Sequence, residues 1–83
     1  MSEVAKRLAE LVLTVHRRNG GTREVLDGDL PLLAPELGLD SMDLAEIMVA
    51  VEREFGVEPF GGDSAPRTWR EVVTILEREA GSA

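Results

Sequence analysis

This chain contains no cysteine and no tyrosine, and only one tryptophan, one histidine and two phenylalanines. Without cysteine there is no disulfide framework, no thiolate zinc site and no cysteine nucleophile. No basic start leads into a long apolar run, so neither a signal peptide nor a transmembrane span fits, and a cytoplasmic location away from membranes is expected. Aromatic residues make up only 4% of the chain, which leaves the core to aliphatic side chains. What is there is 83 residues with 43% hydrophobic content, enough for a single domain that buries about 60% of its unfolded surface. A chain of that length rarely encloses a catalytic cleft. The expected class is therefore all-α, a small helical bundle over residues 1–83, and not an enzyme.

Sixteen acidic residues against nine basic ones give a net charge of −7, unevenly spread. Residues 1–23 sum to +3, residues 24–58 to −9 with Arg53 as the one base, and residues 59–83 to −1. An acidic middle repels nucleic-acid phosphates and anionic lipid headgroups, so neither is an expected partner. It steers the protein toward basic surfaces at rates that fall with salt. The plain alternative is a solvated acidic face that keeps the protein in solution.

Val4, Leu8, Leu11, Val12 and Val15 recur at helical spacing and predict a first helix over about residues 3–18, capped by Ser2 and stopped at Asn19-Gly20-Gly21. Its last turn holds His16, Arg17 and Arg18, where positive charge suits the helix dipole. The lone histidine at a helix end reads as a surface residue without chemistry. Residues 19–40 form a long loop containing Pro31 and Pro35, tacked onto the bundle by Leu26, Leu30, Leu32, Leu33, Leu37 and Leu39. A second helix is predicted over about 41–55, with Asp40 or Ser41 as its cap and Gly56 and Pro59 as its stop. Between Pro59 and Pro66 only a turn or one helical turn fits, at about 59–65. Thr68 and Glu71 make a capping-box pattern that opens a last helix over about 68–80, ending before Gly81.

The second helix carries two apolar faces. Leu44, Ile47, Met48, Val51 and Phe55 form a stripe suited to the core. Opposite them Met42, Ala45 and Val49 recur at i, i+3 and i+7, with Glu46 and Arg53 on the same side and Asp43 and Glu52 flanking. A domain with one core has no internal use for a second strip, so a docking surface is the functional reading, against the plain one of scattered surface apolar residues. Ser41 stands at the head of this strip. Self-contained serine catalysis needs a base and an oxyanion hole, and the chain offers neither a suitable histidine nor a Gly-x-Ser-x-Gly turn. A serine at a helix N-terminus instead presents its hydroxyl where free amides and the dipole favour a phosphate, which suits modification by another protein. The plain reading of the same serine is an N-cap. The acidic loop lacks the carboxylate spacing of a calcium loop, and no metal is assigned.

The run Leu37-Gly38-Leu39-Asp40-Ser41-Met42-Asp43 resembles the Asp-Ser-Leu/Met signature of acyl carrier proteins, and Glu46, Ile47, Val51, Glu52, Glu54, Phe55 and Gly56 continue it. The likeness covers nearly the whole chain, in length, acidity, long first loop, signature helix and closing helix. It implies a four-helix bundle with a short or irregular third helix. It also implies that Ser41, flanked by Asp40, is esterified with 4′-phosphopantetheine from coenzyme A by a separate phosphopantetheinyl transferase, the chain itself being non-catalytic. The arm then carries an acyl chain as a thioester between synthases, reductases and acyltransferases of fatty-acid or polyketide biosynthesis. By position the residues that dock basic patches of those enzymes are Met42, Asp43, Ala45, Glu46, Val49 and Glu52, with Arg53 on the same side. A monomer is expected.

Three places depart from the familiar fatty-acid pattern. Arg53 stands where an acid is usual, the glycines and prolines of Pro59–Pro66 replace an acidic third helix, and Trp69 stands where a small aliphatic residue is common. Trp69 either fills space otherwise open to an acyl chain or packs the shortened segment. Together these departures point to a specialised carrier more than a housekeeping one. Two other readings share part of the pattern. A peptidyl, aryl or D-alanyl carrier usually shows Gly-Gly-x-Ser, where this chain has Gly-Leu-Asp-Ser. An unmodified helical interaction module would use the second helix without any arm.

Overall fold

The computed structural model describes residues 2–62 and 64–80. Three α-helices follow one another, α1 (Glu3–Arg18), α2 (Ser41–Phe55) and α3 (Trp69–Ala80). Among the described residues there is no strand, only an isolated bridge between Pro31 and Thr68.

Each helix starts where a side chain satisfies amides that the helix itself leaves without partners. The Ser2 hydroxyl accepts the Ala5 N–H at 3.1 Å at the head of α1. Asp40 caps α2, and Gly56, in the left-handed region at φ 69°, closes it with its N–H on the Glu52 carbonyl at 2.8 Å. At α3 the Thr68 hydroxyl accepts the Glu71 N–H at 3.3 Å and donates to the Glu71 carboxylate. The long loop adds to this end. The Arg70 N–H reaches the Gly28 carbonyl at 2.9 Å, the Trp69 N–H reaches Leu30 at 3.4 Å, and the Leu32 N–H returns to Arg67 at 3.1 Å.

α1 packs against both other helices. It runs antiparallel to α2, since Arg7 near its start pairs with Glu54, whereas Arg18 and Asn19 at its end reach Glu46 and Asp43. The core joins Leu8, Val12 and Val15 of α1, Ile47, Met48 and Val51 of α2, and Trp69, Val72 and Leu76 of α3. From the loop, Leu32, Leu37 and Leu39 are buried within it, and Leu26 and Leu30 pack at its edge. Leu33 does not join them, being 48% exposed.

The segment after α2 differs from a helical third element. Residues 59–62 form turns and bends, with the Gly61 N–H on the Glu58 carbonyl at 3.0 Å, so the bundle has three helices among the described residues. Pro59 and Pro66 lack an N–H to donate, and Gly61-Gly62 loses more conformational freedom on ordering than other residues would. Asp63 and Gly81, the latter the expected stop after α3, lie outside the described residues.

Candidate functional site

Ser41 is the first residue of α2, and it is exposed. Of the two candidate caps, the structure uses Asp40. Its carboxylate accepts the Asp43 N–H at 2.8 Å, and the Asp43 carboxylate accepts the Asp40 N–H at 3.1 Å, a closed capping box. Because its neighbour performs the capping, the Ser41 hydroxyl makes no hydrogen bond among the described residues.

The chain enters this site through Gly38, whose φ of 62° places it in the left-handed region that a side chain would strain. The Asn19 side-chain amide, just past the end of α1, donates to the Gly38 carbonyl at 3.2 Å and to Asp43 Oδ2 at 2.9 Å. One side chain thus holds the backbone before Ser41 and the acid after it.

His16 is not the surface residue expected at a helix end. It is 4% exposed, with Nδ1 2.8 Å from the Leu37 carbonyl and Nε2 3.1 Å from the Arg23 amide nitrogen. A carbonyl only accepts and an N–H only donates, so the ring is neutral with its proton on Nδ1. Both nitrogens are committed to the loop, and neither is free to act as a base for Ser41. The loop is shaped around the ring: a Cβ on Gly21 would lie 2.1 Å from it. A signal was present in the sequence, because His16 falls on the same face of α1 as Leu8, Val12 and Val15.

The strip on α2 faces solvent. Met42 is 80% exposed, and Ala45, Glu46, Val49, Glu52 and Arg53 are exposed with it, while Asp43 is partly covered. Arg18 of α1 forks onto Glu46, each nitrogen at 2.9 Å, and stands 3.6 Å from Asp43. The Asp43 carboxyl is held below the usual carboxylate range, chiefly by the Asp40 amide, then by the Asn19 amide and by Arg18. Glu46 is lowered mainly by the hydrogen bonds from Arg18, whose own guanidinium is raised in return. Arg53 makes no ion pair or hydrogen bond among the described residues.

Trp69 is fully buried as part of the core. Beside it, between α1 and α3, lies a cleft of about 210 Å³ lined by Ala5, Ala9, Leu26, Trp69, Arg70 and Val73. Among the described residues no three His, Asp or Glu side chains gather as a metal site. No described helix is long and apolar enough to cross a membrane.

An exposed serine whose hydroxyl has no partner among the described residues heads an acid-rimmed helix of a small helical domain, and the one histidine is bound to the loop. Comparison with known proteins supplies the family. The family model described as phosphopantetheine attachment site matches residues 6–64. The acyl carrier protein of Azobacteroides pseudotrichonymphae genomovar. CFP2 is 30% identical over 86 residues, covering 100% of this chain and 95% of that relative. The mitochondrial acyl carrier protein of Dictyostelium discoideum is 74% identical over 23 residues, which cover 28% of this chain and 19% of that relative. No solved structure gives a significant match. The chain belongs to the acyl carrier protein family, whose prosthetic group is 4′-phosphopantetheine.

Proposed function

We propose that Ser41 is the attachment point of 4′-phosphopantetheine and that the protein delivers acyl groups to fatty-acid or polyketide biosynthetic enzymes. The observation that carries this reading is the hydroxyl of Ser41, exposed at the head of α2 and released from capping by Asp40. The site fits the group. Nothing among the described residues engages the hydroxyl, and the first amides and dipole of α2 favour the negative charge of a phosphodiester at that position.

The Ser41 oxygen forms the new P–O bond as the pyrophosphate bond of coenzyme A breaks and adenosine 3′,5′-bisphosphate leaves. The serine proton must pass to a base, and His16 does not serve, since both its ring nitrogens are bound. A separate transferase supplies that base and the coenzyme A. When attached, the group supplies a terminal thiol that holds acyl cargo as a thioester. The protein's own part is positional. Asp40, Asp43, Asn19 and Gly38 fix where the arm begins, and the strip Met42, Asp43, Ala45, Glu46, Val49, Glu52 and Arg53 presents apolar contacts and charge to the enzymes that receive it. Arg53, exposed and without a partner among the described residues, and the buried Trp69 favour a specialised carrier over the housekeeping one.

The test is the intact mass of the protein after incubation with coenzyme A and a broad-specificity phosphopantetheinyl transferase. Wild type gains one phosphopantetheine and Ser41→Ala gains none. A folded wild type that gains nothing sinks the reading. Loading the product with fatty acyl, malonyl and aminoacyl groups in parallel then separates an acyl carrier from a peptidyl one.

A further inference from the structure

Arg18 belongs to α1 yet spends its charge on α2. Its guanidinium forks onto both carboxylate oxygens of Glu46 and stands beside Asp43, the two acids of the docking strip nearest Ser41. A bidentate fork is also how an arginine on another protein grips a carboxylate. Glu52, farther along α2, has no such partner among the described residues. We infer that Arg18 is an internal counter-ion that takes the place of a partner's basic residue at Glu46 and Asp43, and so determines which partners engage this face.

The inference rests on the docking role of α2 proposed above. Two effects follow from the geometry. Arg18 cancels one unit of negative charge close to Ser41, which weakens the field that draws basic surfaces to it. An incoming Arg or Lys must also displace it, and an exposed pair of this kind shifts such an equilibrium by at most about fivefold. The face therefore selects a partner that brings its own forked cation within reach of Glu46, and it discriminates against one with only diffuse positive potential.

The experiment measures kcat/KM for phosphopantetheine transfer from coenzyme A, by a transferase with a basic docking surface, across a range of salt. The substrates are wild type, Arg18→Gln, Arg18→Lys, Glu46→Gln and the Arg18→Gln/Glu46→Gln pair. Arg18→Gln raises kcat/KM about three- to tenfold at low salt, and the gain shrinks as added salt screens the charges. Arg18→Lys, which keeps the charge but not the fork, falls between wild type and Arg18→Gln. Glu46→Gln lowers the value, and Arg18→Gln gains less on that background. A residue that merely tied α1 to α2 would lower the melting temperature and leave the salt slope unchanged. Arg18→Gln at or below the wild-type rate at every salt concentration overturns the inference. Arg18→Met, which keeps the apolar stem, repeats the comparison should Arg18→Gln not fold. A wild type that is never modified overturns the carrier reading itself, whereas equal rates across all variants overturn only the role of Arg18.

Discussion

Ser41 and His16 exchange the roles their surroundings suggest at first sight. The serine at a helix start is free because Asp40 caps α2, and the histidine at a helix end is enclosed because the loop folds over it. Truncating His16 to alanine strips the Leu37 carbonyl and the Arg23 amide of their partner and leaves a cavity, at a cost of about 2–4 kcal/mol. Urea unfolding of His16→Ala measures this. A surface histidine would shift stability by no more than about 0.5 kcal/mol, and that result would refute the clamp.

Helices α1 and α2 were legible from the sequence because local signals agree: apolar spacing, a capping residue, and a glycine beyond the end. The choice of Asp40 over Ser41 as cap was not, since both residue types cap well and the decision lies in the reciprocal bond from Asp43. The burial of His16 was half visible. Its face was apolar, but its cover comes from Leu37 and Arg23, a contact that no local pattern encodes. The start of α2 should also respond to acid in a defined direction. Asp43 and Glu46 are more acidic folded than unfolded, so their contribution is complete above the ordinary carboxylate range and is lost as pH falls through their lowered folded values. The stability difference between wild type and Asp43→Asn is expected to be full at neutral pH and to close below about pH 4, as read by denaturant midpoints. Parallel pH profiles for the two proteins would contradict this.

At the scale of the molecule, the charge segregation seen along the chain becomes a charge match in space. The net-positive first segment folds as α1 and lies antiparallel on α2, the acidic one, so that Arg7 meets Glu54 and Arg18 meets Glu46. Part of the acidity that looked outward-facing in the sequence is therefore answered internally, and Glu52 and the strip's apolar residues are left to face solvent. The loop plays a corresponding part at the start of α3. The first amides of α3, on Trp69 and Arg70, are bonded to Leu30 and Gly28 and not to water. Amide hydrogens in the opening turn of a helix ordinarily trade with solvent deuterium quickly, because nothing inside the helix protects them. Here the exchange clock of Trp69 and Arg70 is set by how often a loop distant in sequence lifts away, so two hydrogens on the last helix report the opening of the segment that leads to Ser41.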